Sequence, residues 1–448
     1  MATDLTSDPG TFVFFPEGAF GPTNNCVGIG NVLRERGHRV VFIVEESFAG
    51  RLEAQGFEER LMRLGPAPAE PEVPGQFWID FIRDTAPIFR KPTIEQLGEF
   101  MAPTWQALID GSKYVDDRLR EIIDELHPDV IVEDNVVCFP ALPASGRPWV
   151  RIVSCNPAEL KDPAVPPLSS GYPARDRSGY AAFLAEVDRT HRDMWADFDA
   201  FCRDRRSPGL AWRDVGPEFI QESPWLNLYV YPGIADYARE RPLAPTWHRL
   251  DSCVRATDAT WELPAHLRKG APGTALDGGL VYLSLGSLGS ADVELMQRLV
   301  DVMGATRHRI IVSKGPLADE IRLHGNMAGE GFLPQPAILP QVDVVVTHGG
   351  NNTVTECFHN GKPMVVLPLF WDQVDNAQRV DETGFGVRLS TYGFDDGQLT
   401  GAVDRLLADS KVRATMAANA ARLQADPGTV KAADLIERVA RTGQPVVA

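Results

Sequence analysis

The chain has 448 residues, 44% of them hydrophobic and 23% charged, and its 61 acidic residues outnumber its 44 basic ones to give a net charge of −17. This composition is typical of globular proteins and excludes disordered and fibrous classes, while the acidic balance disfavours binding to nucleic acid or to anionic lipid. At about 150 residues per domain, the length predicts two or three domains.

Six cysteines are scattered along the chain without C-x-x-C or metal-ligand spacing. This pattern favours buried thiols in a reducing compartment and predicts no metal site. The N-terminal residues show no basic flank followed by an apolar stretch, and no run of about 18 apolar residues occurs. We therefore expect a cytoplasmic protein with no signal peptide and no membrane span.

In the first half of the chain, apolar runs alternate with amphipathic stretches. The pattern predicts strands over residues 12–15, 39–44, 129–133, 148–154 and 227–231, and helices over residues 26–36, capped by Gly37, and 114–126. Because helices connect these strands, the strands are expected to run parallel. Residues 232–245 contain Pro, Gly and charge with little apolar periodicity, which predicts a hinge between domains.

The second half repeats the alternation. Strands are predicted over residues 280–285, 308–313, 342–347 and 364–368, and helices over 291–303, 353–360 (closed by Gly361) and 430–441. Two such units predict two doubly wound α/β domains that face each other, with ligands bound between them at the carboxyl ends of the strands. We assign residues 1–240 to an N-terminal domain, residues 241–428 to a C-terminal domain, and residues 429–448 to a helix that packs back toward the N-terminal domain.

An aromatic segment interrupts the first unit. Between residues 71 and 105, Phe77, Trp78 and Phe81 share one face of a predicted helix. The helix could pack on the core of its own domain. Alternatively, its aromatic face could line a pocket for an organic substrate, since long connections commonly carry binding residues.

Residues 347–356 are the most informative segment. A buried strand runs into Gly349 and Gly350 and then opens a helix, an arrangement in which free N–H groups and the helix dipole favour a bound anion. Thr353 and His348 would add a hydroxyl and a ring N–H. The alternative interpretation is a capping box formed by Thr353 and Glu356, which needs no ligand.

Two neighbouring segments carry similar alternatives. Asp372 and Gln373 follow a buried strand, where they could hydrogen-bond sugar hydroxyls or simply cap the next helix. Upstream, Phe332 and Gln335 lie in a predicted loop. They could stack on and pair with a planar base, or they could be part of a turn.

Together, these segments resemble the C-terminal half of the family 1 nucleotide-sugar-dependent glycosyltransferases, which include plant secondary-product enzymes and bacterial macrolide glycosyltransferases. The matching residues run from 331–335 through 348–356 and 361–363 to 372–373, with weaker likenesses at 37–40, 284–287 and 427–437. The resemblance implies a GT-B fold, in which two Rossmann-like doubly wound domains face each other across a cleft. It also implies an inverting mechanism without a metal or other cofactor, and a nucleotide sugar as co-substrate.

The family pattern assigns roles to individual residues in the second half. Phe332 would stack on the base, which Gln335 would contact, and Glu356 would hold the ribose hydroxyls. The diphosphate would lie against Ser287, His348, the backbone at Gly350, Asn352 and Thr353, while Asp372 and Gln373 would grip the sugar.

The first half departs from the family in one important place. Family members usually keep a histidine after the first strand as the base that deprotonates the acceptor, and Pro22 occupies that position here. The acid that orients this histidine aligns with Asp134. Either Asp134 or Glu17 could act directly as base, the acceptor could need little help, or the chain could bind nucleotide sugar without transferring it. Asn24 and Asn25, nearby, could simply cap the following helix.

The sequence therefore predicts an inverting glycosyltransferase that moves a sugar from a UDP- or dTDP-sugar to a hydrophobic, natural-product-like small molecule, as in antibiotic biosynthesis. Phe77, Trp78 and Phe81 are the candidate acceptor contacts. The alternatives are a non-catalytic nucleotide-sugar-binding helper protein of the same fold, and a GT-B epimerase or hydrolase that needs no acceptor. The expected partners are the donor and the acceptor, with no nucleic acid.

Overall fold

The computed structural model describes residues 9–66, 76–255, 257, 259–270 and 276–448, apart from the side chains of residues 20, 76–79 and 82. The strands are β1 Thr11–Pro16, β2 Arg39–Val44, β3 Glu58–Leu61, β4 Val130–Asp134, β5 Trp149–Val153, β6 Trp212–Arg213, β7 Gly216–Pro217, β8 Leu226–Tyr229, β9 Trp247–Arg249, β10 Leu280–Ser284, β11 Arg309–Ser313, β12 Met327–Glu330, β13 Val344–Thr347, β14 Met364–Val366 and β15 Gly386–Arg388. The α-helices are α1 Phe20–Glu35, α2 Gln76–Phe89, α3 Thr93–Gln96, α4 Ala102–Leu126, α5 Ala141–Ala144, α6 Tyr180–Asp204, α7 Gly286–Gly289, α8 Val293–Gly304, α9 Gln335–Ile338, α10 Asn351–His359, α11 Gln373–Glu382, α12 Asp396–Ala408, α13 Ser410–Ala425 and α14 Gly428–Thr442.

Two parallel sheets organise the chain. The first has the strand order β3-β2-β1-β4-β5-β8-β9, and the second has the order β12-β11-β10-β13-β14-β15. In each sheet the chain begins at a central strand, adds strands outward to one edge and then crosses to the other side, as in a Rossmann-like doubly wound fold. The prediction of an α/β fold with two such domains is confirmed. In each sheet the crossing point opens a crevice at the carboxyl ends of the strands.

The first sheet runs farther along the chain than the predicted boundary at residue 240. Strand β9 pairs with β8 in parallel, with Asn227 opposite Trp247. Its three residues are too short a run to stand out in the sequence as a strand. The connection to the second domain therefore follows β9 rather than the stretch 232–245.

Helix α14 returns to the first domain. It packs against α1, and Ala432, Ala433 and Ile436 belong to the same apolar cluster as Ile29 and Leu33. Glu437 also contacts the first domain, with its carboxylate 2.7 Å from the guanidinium of Arg36. The C-terminal segment thus covers one face of the N-terminal sheet.

Helix α1 begins earlier than predicted. It starts at Phe20, inside the Gly- and Asn-containing stretch that precedes the predicted start at residue 26. Pro22 lies in the first turn, where a missing N–H costs nothing because that group has no helical partner. At the other end, Gly37 has a φ of 89°, the left-handed conformation expected of a residue just past a helix.

Among the described residues, no helix is both long enough and apolar enough to cross a membrane.

Candidate active site

A cleft of about 310 Å³ lies between the two domains. Its lining residues directly follow β1, β4 and β5 in the first sheet and β10, β13 and β14 in the second, so the carboxyl ends of both sheets face it. This is the edge at which doubly wound folds bind ligands. The sequence-predicted site residues in the lining are Glu17, Asp134, Ser287, His348, Gly350, Asn352, Thr353, Asp372 and Gln373.

The turn between β13 and α10 holds a histidine ring between two glycines. A Cβ added at Gly286 or at Gly350 would lie 2.7 Å from the ring of His348, so these positions leave no room for a side chain. Burial lowers the pKa of His348 to about 4. The ring is therefore neutral at physiological pH, and it can donate one hydrogen bond to a ligand without carrying a charge.

Helix α10 begins without a side-chain cap. Its N-cap residue is Gly350, and Thr353 lies inside the helix, so the interpretation of Thr353 and Glu356 as a capping box is wrong. The Glu356 carboxylate instead accepts hydrogen bonds from Gln335 Nε2 at 2.6 Å and from Asn352 Nδ2 at 3.2 Å. A helix whose first N–H groups face a cleft without a side-chain cap is suited to bind a phosphate group.

The side chains around Glu356 form one connected polar group. Gln335 Nε2 also lies 3.3 Å from the hydroxyl of Thr353. Burial raises the pKa of Glu356, and the hydrogen bonds from Gln335 and Asn352 and the positive charge of Arg255 oppose that rise. The structure therefore brings together a carboxylate, two amides and a hydroxyl, all of which are suited to ribose and phosphate oxygens.

Arg255 is a residue that the sequence analysis missed. Its guanidinium donates a hydrogen bond of 2.6 Å to Asn24 Oδ1 on α1 and acts electrostatically on Glu356 of α10. No local pattern marks this arginine, because the groups that it joins come from opposite ends of the chain. It places a cation at the boundary between the two domains, next to the candidate nucleotide site.

Phe332 presents its ring to solvent. It precedes α9, and 66% of the residue is exposed, which is unusual for phenylalanine. An exposed ring close to Gln335 is compatible with stacking on a planar base.

Asp372 and Gln373 begin α11 on the cleft wall. Asp372 occupies the N-cap position, but its side chain does not cap the helix. Its Oδ2 accepts hydrogen bonds from the backbone N–H of Asn156 at 2.8 Å and from Asn376 Nδ2 at 3.2 Å. The Oε1 of Gln373 accepts from the backbone N–H of Leu369 at 3.0 Å. Burial raises the pKa of Asp372 to about 6.

Helix α11 also fastens the two domains together. The Asp375 carboxylate accepts hydrogen bonds from the backbone N–H groups of Ser169 at 2.6 Å and Gly171 at 2.8 Å, and Asn376 Oδ1 accepts from Asn156 Nδ2 at 2.8 Å. Burial raises the pKa of Asp375 to about 8. The sequence analysis missed this contact, because a polar helix face that binds another domain looks the same in sequence as one that faces water.

Two carboxyl groups face the cleft from the first domain. Asp134 ends β4, where its Oδ1 accepts a hydrogen bond from Ser154 Oγ at 2.9 Å, and its Oδ2 is buried with no hydrogen-bond partner among the described residues. Glu17 follows β1, and its backbone N–H donates to the carbonyl of Asp134 at 2.8 Å. Burial raises the pKa of both carboxyl groups to about 7, and the charges of Asp134 and Asp372 add to the rise at Glu17.

Pro22 lines the same wall from the first turn of α1, at the position where the resemblance expects a histidine. Asn24 and Asn25 lie within α1, whose N-cap is Ala19, so the interpretation of these asparagines as helix caps is wrong. The ring of His38 does not substitute. It accepts a hydrogen bond from the backbone N–H of Gly10 at 3.0 Å and lies 2.9 Å from Glu437.

Of the three aromatic residues predicted to line the cleft from helix α2, one can be placed. The side chains of Phe77 and Trp78 lie outside the described part of the structure. Phe81 does not line the cleft but belongs to a cluster of aromatic rings, with centroids 6.0 Å from Phe100 and 6.2 Å from Phe370. The interpretation of this helix as packed on protein therefore describes Phe81 better than the interpretation as a pocket lining.

Within the described residues, no group of three or more His, Cys, Asp or Glu side chains is arranged to hold a metal ion.

Comparison with known proteins identifies glycosyltransferases as relatives. Residues 297–438 match the family described as erythromycin biosynthesis protein CIII-like, C-terminal domain. Demethyllactenocin mycarosyltransferase of Streptomyces fradiae is 24% identical over 434 residues, which cover 95% of this chain and 85% of that protein. The matched residues of this chain include α10 and α11, which carry the candidate nucleotide-sugar residues Asn352, Thr353, Glu356 and Gln373.

Solved structures share the fold over nearly the whole chain. The glycosyltransferase of kitacinnamycin superimposes with a TM-score of 0.68 at 23% identity, covering 96% of this chain and 99% of that one. Glycosyltransferase VinC, solved in complex with dTDP, gives a TM-score of 0.58 at 18% identity, covering 96% and 99% of the two chains. These similarities show the two-domain GT-B fold.

Proposed function

Because the chain belongs to the family 1 nucleotide-sugar-dependent glycosyltransferases, we propose that it is an inverting enzyme that moves a sugar from a UDP- or dTDP-sugar to a hydrophobic, natural-product-like small molecule. One observation carries the proposal. A single cleft is lined by the uncapped start of α10 and by Asp372 on one side, and by the carboxyl group of Asp134 on the other. The dTDP in the VinC structure supports a nucleoside diphosphate as the ligand of this fold.

The donor lies against the second domain in this proposal. The diphosphate binds at the N-terminus of α10, where Asn352, Thr353, Ser287 and the neutral ring of His348 surround it. When the bond from the sugar to the diphosphate breaks, negative charge grows on the leaving oxygen. The free N–H groups and the dipole of α10 stabilise that charge, so the chemistry requires no metal.

The acceptor is activated from the first domain. The carboxylate of Asp134, which lines the cleft, accepts the proton of the acceptor hydroxyl as the acceptor oxygen attacks the anomeric carbon. Attack on the face opposite the diphosphate inverts the configuration of the sugar. The Ser154 hydroxyl fixes the orientation of the carboxylate through Oδ1, and a pKa of about 7 lets this carboxylate take a proton at neutral pH.

Glu17 is the second candidate base. It lines the same wall, and its pKa is also about 7. An acceptor with an acidic hydroxyl would need neither carboxylate. Variants Asp134→Asn and Glu17→Gln, assayed in parallel on acceptors of different acidity, distinguish these three cases.

The experiment that tests the function follows nucleotide release. The protein is incubated with labelled UDP-sugars and dTDP-sugars and a panel of aromatic and macrocyclic alcohols, and we expect release of UDP or dTDP that depends on acceptor. Release without acceptor would instead identify a hydrolase or epimerase. Binding of nucleotide sugar with no release under any acceptor would identify a non-catalytic binding protein, the alternative that Pro22 suggests.

A further inference from the structure

Trp371 has no part in the donor site described above, yet it lines the cleft. It lines the cavity directly beside Asp372, and Glu17 and Asp134 line the same cavity from the other domain. Its ring therefore borders the space where a sugar held by Asp372 meets an acceptor held near Asp134.

The backbone of Trp371 adopts a conformation that bulky residues rarely take. Its φ is 57°, in the left-handed region where the Cβ crowds its own carbonyl. Such a conformation persists only where the surrounding structure holds it, and it occurs preferentially at binding sites. The packing that holds Trp371 is visible on the side away from the cleft.

Three aromatic rings form a continuous wall. Trp371 packs against Trp105 of α4 with ring centroids 5.0 Å apart and planes tilted by 37°, and Trp105 stacks on Phe219 at 4.3 Å with planes 19° apart. Trp105 and Phe219 are buried, whereas Trp371 is half-buried. We call Trp371, Trp105 and Phe219 the aromatic wall, and Trp371 is its member that reaches the cleft.

A second, smaller cavity lies on the other side of this wall. It has a volume of about 40 Å³, and Trp105, Phe219, Leu97, Met101 and His191 are among its lining residues. Burial lowers the pKa of His191 to about 4, so the histidine adds no charge at neutral pH. The aromatic wall therefore lies between the cleft and a small cavity whose lining also includes Lys161.

The lining of the cleft restricts the charge of an acceptor. Its ionisable residues are Glu17, Asp134, Cys155, Glu159, Asp372 and the neutral His348, and no lysine or arginine contributes to the described lining. Lys161 lies behind this lining, paired with Glu159 at 3.1 Å, so a carboxylate-bearing acceptor would meet mostly like charge. A flat, neutral ring system would instead gain apolar contact with the indole of Trp371 and leave its hydroxyl for the base.

We infer that Trp371 forms an acceptor subsite for a flat, uncharged ring system and sets the selectivity of the enzyme for planar over puckered acceptors. This inference rests on the proposed function, since it names the acceptor class of the same cleft. The residue is a specificity determinant rather than a catalytic group. Its expected contribution is the stacking preference of an aromatic pair, roughly 3- to 10-fold in affinity.

The test compares two alcohols that share a carbon skeleton and differ in planarity, 2-naphthalenemethanol and decahydro-2-naphthalenemethanol. Their dissociation constants are measured by calorimetry with UDP or dTDP present. We expect the wild-type protein to bind the planar alcohol about 3- to 10-fold more tightly. Trp371→Leu should abolish this preference, Trp371→Phe should retain most of it, and the affinity for the nucleotide should be the same in all three proteins.

Trp212→Leu is the matched control. Trp212 packs edge-to-face against Trp195 with centroids 5.3 Å apart and lines neither of the two cavities, so its loss should leave the preference unchanged. Equal binding of the two alcohols by the wild type, binding of neither, or a preference that survives in Trp371→Leu would overturn the inference. If the nucleotide itself does not bind, the proposed function fails instead, whatever the alcohols do.

Discussion

The two walls of the cleft differ in chemistry. The C-terminal wall offers N–H groups, amides and hydroxyls from α7, α10 and α11 together with the carboxyl group of Asp372, whereas the N-terminal wall offers the carboxyl groups of Glu17 and Asp134 beside Pro22. In the proposed reaction, the diphosphate is attracted to the uncapped start of α10 and repelled by the carboxylates opposite it. The difference then separates leaving-group stabilisation from proton removal and sets which way the donor faces.

The walls also differ in how they are held. Local packing holds the C-terminal wall. The ring of His348, for example, fits closely between Gly286 and Gly350. The N-terminal wall includes the loop after β5, which α11 holds from the other domain through Asp375. Variants that disable one wall should therefore spare the function of the other, and the following predictions test that separation in order of expected effect.

Asp134→Asn should remove the base and leave the donor wall intact. We expect turnover to fall by about 100-fold or more, because general base catalysis contributes at least that much, with the affinity for UDP or dTDP unchanged. Steady-state kinetics and nucleotide titration measure the two quantities. Asp193→Asn, an exposed aspartate on α6, is the control. If Asp134→Asn retains turnover, Asp134 is not the base, and Glu17→Gln becomes the variant to test.

Glu356→Ala should give the reverse pattern. A buried carboxylate that holds ribose hydroxyls contributes about 1.5–3 kcal/mol, so nucleotide affinity should weaken roughly 10- to 150-fold. Calorimetric titration with UDP and dTDP measures the loss, and Glu294→Ala, on the exposed side of α8, serves as control. Unchanged nucleotide affinity would contradict the assignment of Glu356.

Asp375→Asn should weaken acceptor binding without touching the donor. The amide oxygen cannot hold the N–H groups of both Ser169 and Gly171 as a carboxylate does, and the loss of about 1–2 kcal/mol predicts a rise in acceptor KM of roughly 5- to 30-fold. Asp381→Asn, on the exposed face of the same helix, is the control. If nucleotide affinity falls together with acceptor affinity, α11 supports both walls and the separation is incomplete.

The pH dependence should report the two carboxyl groups of the N-terminal wall. Because a base must be deprotonated, kcat/KM should rise as the pH rises through about 7, with apparent values that belong to Glu17 and Asp134 as a coupled pair. A flat profile between about pH 5 and 8 for an alcohol acceptor would exclude both carboxylates as the base.

Stability should change with pH in the opposite sense. The pKa of Asp134 rises from 3.8 in the unfolded chain to about 7 in the folded protein, so the folded state binds more protons between these values and loses stability as the pH rises through that range. The Tm of Asp134→Asn minus the Tm of the wild type should therefore be larger at about pH 8 than at about pH 5. An equal Tm difference at the two pH values would show that folding does not raise the pKa of Asp134.

Much of the donor wall could be predicted from the sequence because its geometry is local. The strand, the paired glycines and the start of α10 are contiguous, and backbone rules connect them directly. Even there, the hydrogen bonds of Glu356 to Gln335 and Asn352 could not be seen, and Thr353 looked like a helix cap. Which partner a polar side chain chooses depends on what folds beside it.

The N-terminal wall was harder to predict for the same reason. Asp134 was a candidate because it aligns with the acid of the family that the chain resembles, and Glu17 because it lies in the loop after the first strand, but the raised pKa values come from burial. The sequence did not reveal the early start of α1, the pairing of β9 or the contact between Arg255 and Asn24. Each depends on residues that are distant in the chain.

By itself, the amino-acid sequence determined the alternation of strands and helices, the two doubly wound sheets and the glycine-containing turn at His348, since periodicity and backbone conformation are properties of neighbouring residues. Only the tertiary structure decided that the Asp134 carboxyl group is buried beside the cleft with one oxygen unpaired among the described residues, that α11 holds the loop after β5, and that Trp371 completes an aromatic wall. These features arise where two domains meet, because burial, electrostatics and packing there depend on surfaces that no single stretch of chain contains.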